Sequence, residues 1–542
     1  MTSRAGTLSL TLIGLLLLGY ALGGKGFAYV GLPPFYIGEI ILASCLLLFI
    51  LAPDFRMLMR SGVLWLIVIL DAWCLIQTLP YIEEYGLDAL RDAVLYGYSA
   101  FAFLVATHMA HPRTIVSATK LYDRVSTYGV ILLIVLIPVG AMLGGVSDVD
   151  GTSSIPIIGI KRGDLATHLS AVLAFRMLEL GGPGEAGRHR TSSIINTLFW
   201  TAWLGAMIWV SLNRGALLVL LATTLLVIAF GYGRRRLLVF GSVFALIFTV
   251  FAVLDIRIET DRREFSASQI VANVASIVSD DTSDLGLEGI DHEDLEGTKT
   301  WRLRWWGDIV DYTLNGDYFW NGKGFGINVA DSDGYQTDLI NFSLRSPHNA
   351  NMTMLARAGV PGLALWLLVH GSFALVLTLQ TVRLRRLGAE GWARLNVWIL
   401  ACWLAQLCNG TVDVYLESPQ GGFWMWSIIG FGLAVVAVEN GALRIVQDGE
   451  LRKFVREVEH CTFAGRLAAE AGKPVLYVTE RCVFRLTTEG LELIEVAPGV
   501  DIERDILARM DFRPIVDQPR LMDARLFQEP RLGLRAMIDG CA

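Results

Sequence analysis

The chain has 542 residues, of which 54% are hydrophobic and 18% are charged, and its mean hydropathy is +0.50. A soluble protein of this length cannot cover so much apolar surface, so the composition excludes a soluble globular protein and predicts a polytopic membrane protein. The net charge of −7 lies mostly in one long loop and in the C-terminal tail, and it does not indicate nucleic-acid binding.

Apolar runs long enough to span a bilayer recur along the chain, and we count about twelve of them. The first run is followed by further spans and has no small-residue cleavage site, so we expect it to be retained rather than removed as a signal peptide. The predicted spans lie near residues 6–22, 31–51, 63–80, 92–110, 127–145, 164–180, 195–211, 215–231, 236–254, 349–380, 393–410 and 421–440.

The basic residues between these spans predict an orientation. If the N-terminus is cytoplasmic, each inner loop is basic and the short outer loops hold few basic residues, as the positive-inside rule requires. This agreement supports an even number of spans, with both termini in the cytoplasm and the long loop outside. The inner basic residues are Arg56, Arg60, Arg113, Lys120, Arg124, Arg188, Arg190, Arg234, Arg235, Arg236, Arg383, Arg385, Arg386 and Arg394.

Composition divides the chain into four regions. Residues 1–254 read as a transmembrane bundle, 255–348 as one large periplasmic loop, 349–440 as further transmembrane helices, and 442–542 as a charged tail. In the tail, alternation predicts strands in KPVLYVTE, CVFRLTT and LELIEV, and Asp501 predicts the N-cap of a helix. The predicted fold class is therefore an all-α polytopic membrane protein with a large periplasmic loop and a small α+β cytoplasmic tail.

The long loop contains an acidic segment that begins at Ser279, SDDTSDLGLEGIDHEDLEGTK, with eight carboxylates and no aromatic residue. It could form a cation site with His292, but a solvated, mobile loop is the favoured interpretation, because like-charge runs usually stay solvated. The seven cysteines have no ligand-type spacing and none lies in this loop, so neither a disulfide framework nor a zinc site is predicted.

Arg214 interrupts two apolar runs in WVSLNRGALLVLL and lies, by this topology, in a very short outer turn. An arginine there can simply extend its side chain toward lipid headgroups. The favoured alternative is a fixed cation that faces the bundle interior, since ionisable groups at membrane depth are usually paired or functional.

The long loop supplies further basic residues. Arg302 and Arg304 lie in WRLRWW, whose tryptophans are suited to the membrane interface, and Lys323 lies in the turn GKGFG. This turn lacks the spacing of a phosphate-binding P-loop, and its glycines more plausibly allow a close backbone approach. Arginines can hold a diphosphate by bidentate hydrogen bonds and stabilise it as it leaves. The predicted diphosphate-binding residues are Arg214, Arg302, Arg304 and Lys323.

His348 follows Pro347 at the mouth of the next span, so we expect it to begin a helix at the outer surface. A lone histidine more often has a structural role, and the sequence leaves that reading open. The alternative is catalytic, because a neutral imidazole near pH 7 can accept a proton from an acceptor hydroxyl.

A weaker candidate site lies in GIKRGDLATHLS, at the outer end of another predicted span. Lys161, Arg162 and His168 could line a groove for an acceptor or a lipid. An interface anchor at the start of a helix is the favoured reading.

Three of these segments resemble the O-antigen ligase and O-antigen polymerase superfamily of bacterial envelope proteins: SLNRGALL, the R-x-x-x-W pattern from Arg302 to Trp306 followed by GKGFG, and HNANMTMLARAGVPGL. The resemblance covers about residues 30–440. It implies a multi-span, GT-C-like glycosyltransferase of the inner membrane that takes a glycan from undecaprenyl diphosphate on the periplasmic side. The acceptor is lipid A core sugar in the ligases and another lipid-linked repeat in the polymerases.

The resemblance also implies roles for particular residues. Arg214 and Arg302 would bind the diphosphate, with Arg304 as the alternative to Arg302. His348 would activate or position the acceptor hydroxyl. The resemblance implies neither a metal ion nor a nucleotide sugar, and therefore no cofactor.

The tail resembles a different family. The segments LRIVQDGELRKFVREVEHCTFAG, GKPVLYVTERCVFRLTTEGLELIEVAPGVDIERDILARMDFRPIV and LMDARLF are similar to the C-terminal end of acyl-CoA:acetate (3-ketoacid) CoA-transferases, over nearly all of residues 442–535. In that family the catalytic glutamate and most of the CoA-binding fold lie upstream, where this chain has membrane spans. We therefore expect no CoA-transferase activity from this chain alone, and the partner of the tail stays open.

Several classes of function remain to be compared. A lipid-linked glycan transferase is favoured, with a ligase preferred to a polymerase. A transporter or flippase of lipid-linked sugars is the alternative, but transporters tend to have paired halves and charges near the bilayer midplane, whereas here the basic residues gather at one face. A membrane-anchored CoA-transferring enzyme lacks its upstream catalytic region.

Overall fold

A computed structural model gives the fold of the chain, which is mostly helical. The chain divides into two compact units, Met1–Arg383 with Ala393–Ala437, and Leu384–Trp392 with Val438–Ala542, and each is described by itself. The structure describes residues 4–32, 35–142, 145–147, 154–156, 159–180, 193–211, 213–234, 238, 241–242, 245, 249–250, 252–253, 258–259, 264–265, 292–336, 344–386, 389–437, 453–457 and 462–527.

Apolar helices make up most of the first unit. Those before the long loop are α1 (Arg4–Ala28), α2 (Ile37–Leu51), α3 (Arg56–Arg60), α4 (Gly62–Thr78), α5 (Ile82–Tyr85), α6 (Leu87–Gly97), α7 (Ala100–Met109), α8 (Pro112–Met142), α9 (Arg162–Met177), α10 (Ser193–Val210) and α11 (Arg214–Ala229). Helices α12 (His292–Leu314) and α13 (Val329–Ser332) lie within residues 255–348. They are followed by α14 (Ala350–Arg386), α15 (Glu390–Gly410) and α16 (Pro419–Ala437).

Three short antiparallel strand pairs connect helices in this part of the chain. They are β1 (Gly31–Leu32) with β2 (Phe35–Tyr36), β3 (Gly145–Ser147) with β4 (Ser154–Pro156), and β5 (Ile258–Glu259) with β6 (Glu264–Phe265). A single 3₁₀ turn, Leu79–Tyr81, joins α4 to α5.

Within the described part of the chain, six helices are long and apolar enough to cross a membrane, and they make the protein a polytopic membrane protein. They are Arg4–Ala28, Gly62–Tyr85, Leu87–Met109, Pro112–Gly140, Ala350–Arg386 and Pro419–Ala437. The shorter helices Ile37–Leu51, Ile194–Val210 and Arg214–Ala229 are also apolar and coincide with predicted spans. The count of about twelve spans and their orientation stay predictions.

Helix α16 lies at the centre of the bundle, and most of its residues from Gln420 to Val435 are buried. It packs closely on α7, because Gly430 has no side chain: a Cβ there would lie 2.4 Å from the carbonyl oxygen of Ala102. Such an approach between backbones is available only to small residues.

The acidic and aromatic segment that the sequence assigns to the long loop contains a helix, α12. Its buried face carries Trp305, Ile309 and Thr313, each fully buried and four residues apart, which is the spacing of one face of an α-helix. The acidic segment predicted to be a mobile loop overlaps the first turns of α12 from His292 onward, and its residues from Ser279 to Ile290 lie outside the described part.

Helix α14 is interrupted near its N-terminal end. Gly359 has a φ angle of +68°, and Pro361 follows it inside the helix, so the regular hydrogen-bond pattern is broken there. The amides of Lys323 and Gly324 donate to two carbonyls of this interrupted region, at 2.7 and 3.0 Å. The glycine turn GKGFG therefore makes a close backbone contact with α14.

The second unit contains a small four-stranded sheet in the order β10, β9, β8, β7. Its strands are β7 (Leu476–Val478), β8 (Cys482–Thr487), β9 (Gly490–Val496) and β10 (Ile515–Leu521), preceded by helix α17 (Gly465–Glu470). The first three strands are antiparallel and coincide with the predicted ones, while β10 pairs in parallel with β9. Asp501 caps a helical turn as predicted, but Ile502–Ile506 is a π-helix.

Candidate active site

His348 immediately precedes α14 in an uncommon backbone conformation. Its φ angle is +57°, in the left-handed region that side chains other than glycine rarely adopt. Asn349 follows it, and its Oδ1 accepts hydrogen bonds from the amides of Asn351 and Met352 in the first turn. The half-buried His348 ring packs edge-on against Trp301 of α12, with the ring centroids 5.6 Å apart. The histidine is thus held at the mouth of a helix.

Arg302 places a fixed cation in the same region. Its guanidinium lies over the Trp301 ring, 5.5 Å from the centroid, and its Nη1 donates to the carbonyl of Val412 at 2.9 Å. The Nε of Arg302 has no hydrogen-bond partner among the described residues. Burial lowers the pKa of Arg302 and Asp413 opposes that shift, but arginine stays protonated in proteins. This nitrogen is shielded from solvent as well as unpaired.

Two further charged residues, Lys161 and Asp413, lie in this region. We call these two residues, with His348, Arg302 and Arg214, the cluster. The Nζ of Lys161 lies 3.6 Å from the Oδ1 of Asp413. Burial, Arg302 and Lys161 together lower the pKa of His348 to about 4, although Asp413 and a backbone hydrogen bond to Ser346 oppose the shift. The His348 imidazole is therefore neutral near pH 7, in the form that accepts a proton.

Lys161 is positioned by contacts on both sides of it in the chain. Gly159 makes two backbone hydrogen bonds, of 2.9 and 3.1 Å, to the kinked end of α1. On the first turn of α9, the buried Asp164 accepts a hydrogen bond of 3.1 Å from Asn409 Nδ2. The second contact ties the start of α9 to the end of α15, next to Asp413.

Arg214 is the first residue of α11 and is half-buried. Asn213 caps this helix, with its Oδ1 accepting from the amide of Gly215 at 2.8 Å. Gly215 packs against the turn that Arg302 contacts, since a Cβ on it would lie 2.9 Å from Val412 Cγ2. The N-terminus of α11 thus reaches the same turn as Arg302.

The cluster has the charge and the donors to bind an anion. Lys161, Arg214 and Arg302 are cations, and the N-termini of α9 and α11 add backbone amides and favourable helix dipoles. No group of three or more His, Cys, Asp or Glu residues in the described ranges is arranged to bind a metal ion. The arrangement can hold a diphosphate and place the neutral imidazole of His348 beside it.

A family model described as O-antigen ligase matches residues 199–367, a stretch that includes Arg214, Arg302 and His348. This stretch is similar to O-antigen ligases, and we call it the ligase-like segment. Lys161 and Asp413 lie outside it, so residues on both sides of the ligase-like segment contribute to the cluster.

A short part of the chain is similar to a different class of protein. Acetate CoA-transferase YdiF of Escherichia coli K12 is 50% identical over 126 residues, 23% of each chain. Caffeate CoA-transferase of Acetobacterium woodii is 46% identical over 100 residues, 18% of this chain and 19% of the relative. A crystal structure of the YdiF acyl-CoA transferase apoenzyme from Escherichia coli O157:H7 matches 18% of this chain and 19% of its own, at 50% identity and a TM-score of 0.17. The chain thus spans less than a quarter of the length of these relatives.

Two other predicted residues, Arg162 and His168, contact tryptophans of neighbouring elements. The Arg162 guanidinium lies over the Trp209 ring at 5.3 Å, and the His168 ring packs against Trp424 of α16 with centroids 5.0 Å apart. Arg162 adjoins Lys161 and so borders the cluster, whereas His168 lies farther along α9. A substrate groove along α9 stays a prediction.

Lys323 and Arg304 lie apart from His348 in the contacts that the structure describes. Lys323 is buried, and its Nζ lies 2.5 Å from Asp333 Oδ1 and 2.8 Å from Ser332 Oγ. Arg304 is exposed on α12. The ion pair gives Lys323 a structural task within the ligase-like segment, and a role for either residue in binding the diphosphate stays a prediction.

Sequence reasoning missed three polar residues around the site. Asp413 pairs with Lys161, and Glu417 accepts a hydrogen bond from Ser346 at 2.5 Å. A signal for both carboxylates exists in TVDVYLES, which places two acids in a short turn between apolar runs. Ser346 has no such signal, because only the fold shows what its hydroxyl contacts.

Proposed function

We propose that the chain transfers a glycan from undecaprenyl diphosphate to a hydroxyl of a surface acceptor, with lipid A core sugar as the favoured acceptor. The observation that carries this proposal is the convergence of His348, Arg302, Lys161 and Asp413 on the turn against which the N-terminus of α11 packs. The ligase-like segment supports a glycosyltransferase of this general type. The reaction takes place at the periplasmic face of the inner membrane, and both termini are cytoplasmic.

The reaction requires a base for the acceptor. The neutral His348 accepts the proton of the acceptor hydroxyl as the oxygen attacks the anomeric carbon of the glycan. A bond forms between this oxygen and the anomeric carbon, and the bond from that carbon to the diphosphate oxygen breaks. The diphosphate leaves with the electron pair, so the charges of the step balance.

The cations stabilise the leaving group. The guanidinium of Arg302 offers its positive charge to the diphosphate, while Nη1 keeps it fixed on the Val412 carbonyl. Arg214 and Lys161, at the starts of α11 and α9, supply further positive charge as the negative charge grows on the diphosphate. Asp413 favours the imidazolium that His348 becomes, because a carboxylate nearby opposes the fall of its pKa.

The proposal is tested in the source bacterium by deleting the gene and restoring it as wild type, as His348→Ala, or as His111→Ala. His111 is a matched control, a half-buried histidine that lies between α7 and α8. We expect the deletion and His348→Ala to lose polymer from lipid A core on a gel of surface polysaccharide, with long undecaprenyl-linked chains accumulating. His111→Ala should restore the wild-type pattern.

The same gel separates the outcomes. Cores capped by a single repeat would assign the chain to the polymerases and refute the ligase. An unchanged polysaccharide profile after deletion would refute transfer to this acceptor. Full activity of His348→Ala would refute the assigned base.

A further inference from the structure

We propose that Glu417 is a positioning residue for His348: through the hydroxyl of Ser346 it holds the segment 346–348 so that the Nε2 of His348 is the proton acceptor. This inference rests on the proposed function. Glu417 lies outside residues 199–367, the stretch that matches the ligase family. Glu417 lies in the turn between α15 and α16.

Three hydrogen bonds clamp the segment. The Ser346 Oγ donates to Glu417 Oε2 at 2.5 Å, and Ser346 is buried. Trp306 Nε1 donates to the Pro347 carbonyl at 2.8 Å. The carbonyl of Ser346 lies 3.1 Å from the Nδ1 of His348. Each residue of the segment is therefore held by one group: Ser346 by its side chain, Pro347 by its carbonyl and His348 by its ring.

The conformation of His348 explains why a clamp is required. A φ angle of +57° in a residue other than glycine carries a conformational cost, and it persists only where the surroundings determine it. Without the two outer contacts, at Ser346 and Pro347, the backbone would relax toward ordinary φ angles and carry the ring away from Arg302.

The clamp also sets which ring nitrogen is the base. A backbone carbonyl accepts hydrogen bonds and cannot donate, so the contact with Ser346 places the proton on Nδ1 of His348. The other nitrogen, Nε2, then carries the lone pair. Because Glu417 fixes Ser346, it determines the direction of this carbonyl and through it the tautomer.

Glu417 is suited to this task because its side chain is shielded from solvent: burial raises the pKa of Glu417, although Ser346, Thr353 and Arg357 oppose that shift. Its Oε1 is out of contact with solvent. Thr353 and Arg357 of α14 face the same carboxylate, and Arg357 is paired with Asp92 at 2.9 Å. The carboxylate therefore joins the α15–α16 turn to both ends of the segment that precedes and begins α14.

The experiment measures glycan transfer by the full-length protein in membranes, with a lipid-linked glycan donor and a core acceptor. Ser346→Ala and Glu417→Ala should each lower kcat by up to about 100-fold, with KM for the donor little changed, because a small misplacement of a catalytic group has an effect of this size. Glu417→Gln keeps an oxygen acceptor for Ser346 and should stay near wild type. Ser418→Ala is the matched control, since the Ser418 hydroxyl donates to the Val414 carbonyl.

Two readouts separate positioning from a merely structural role. The double variant Ser346→Ala with Glu417→Ala should be no slower than either single variant, because both remove the same contact. The acid limb of the pH profile should move upward in Ser346→Ala as the ring leaves its buried place among Arg302, Lys161 and Asp413. The positioning role would be refuted if the variants lost folded protein, left the pH profile unchanged and had additive effects on kcat.

Failure of this inference is distinguishable from failure of the proposed function. If His348→Ala is inactive while Ser346→Ala and Glu417→Ala match Ser418→Ala, the base stands and the positioning role of Glu417 is wrong. If His348→Ala is fully active, the proposed function itself fails and the clamp has no catalytic purpose.

Discussion

Arg302 and Arg304 are two positions apart on α12, and this spacing gives them different surroundings. Arg302 is half-buried beside Trp301 and Val412, whereas Arg304 is exposed. We expect Arg302→Ala to lower kcat/KM about 10- to 100-fold, because a hydrogen bond to a charged group contributes about 1.5–3 kcal/mol. Arg304→Ala should change kcat/KM by less than about 2-fold, because substitutions of exposed residues usually have small effects.

The measurement for this pair is transfer from a lipid-linked donor by full-length protein in membranes. Arg302→Lys keeps the charge but loses the planar fork of donors, so it should fall between the wild type and Arg302→Ala. Equal losses in Arg302→Ala and Arg304→Ala would mean that exposure does not distinguish the two arginines in function, against this prediction.

The pH dependence of transfer follows from the surroundings of His348. Burial and the neighbouring Arg302 and Lys161 lower its pKa to about 4, against the opposing effect of Asp413. Since the neutral form is the base, kcat/KM should stay level from about pH 8 to about pH 5.5 and fall only as the pH approaches 4. An acid limb near pH 6.5 would show an imidazole in contact with water and contradict the buried geometry. Melting curves over the same range separate this effect from unfolding.

At the scale of elements, long apolar helices are predictable and α12 is not. A run such as Gly62–Thr78 predicts a helix from its own residues, because almost every residue in it is apolar. In α12 the apolar residues Trp301, Trp305 and Ile309 recur every fourth position among charged ones, and they face protein. The aromatic content suggests an interfacial loop, and only the four-residue spacing distinguishes a helix from it.

The candidate site was predictable only in part, for a similar reason. His348, Arg302 and Arg214 stand out in sequence as charged or titratable residues beside apolar runs. The structure places His348 and Arg302 near Asp413 and packs the start of α11 against Val412. Asp413 also lies between apolar runs, but only the fold shows that it pairs with Lys161, and Ser346 has no local signal. Their part in the site depends on how the turn between α15 and α16 packs against α9 and α12, which is information carried by the fold and absent from any short segment.

The glycine turn provides a test of element packing. Gly322 has a φ angle of +62°, and a Cβ on it would lie 2.5 Å from the backbone carbon of Arg357. Gly322→Ala should therefore lower the free energy of unfolding by about 1–3 kcal/mol, through strain at this contact with α14. The exposed Gly307 of α12 has open space around its Cα.

Gly307→Ala is the matched control, and it should leave stability unchanged or raise it by up to about 1 kcal/mol, because alanine is the better helix former. Thermal unfolding in detergent compares the two variants. A melting temperature for Gly322→Ala at or above that of Gly307→Ala would contradict the close approach of the turn to α14.

At the scale of the whole molecule, all residues of the proposed site lie in the first compact unit. The tail has a core of its own, in which Phe484 of β8 is fully buried with Leu493 and Val496 of β9. Phe484→Ala should lower the stability of this unit by about 3–5 kcal/mol, which is a large part of what a small domain possesses. Val478 of β7 is 70% exposed, so Val478→Ala should have little effect.

Transfer by these variants decides whether the tail takes part in the reaction. We expect deletion of residues 450–542 and Phe484→Ala to leave kcat/KM within about 2-fold of wild type, because the contacts of His348 and Arg302 that the structure describes all lie within the first compact unit. Limited proteolysis should cut the tail of Phe484→Ala faster than that of Val478→Ala. If both Phe484→Ala and the deletion abolish transfer in protein that inserts normally, then the folded tail acts on the site. Loss of transfer in the deletion variant alone would mean that residues 450–542 act on the site whether or not the sheet is stable.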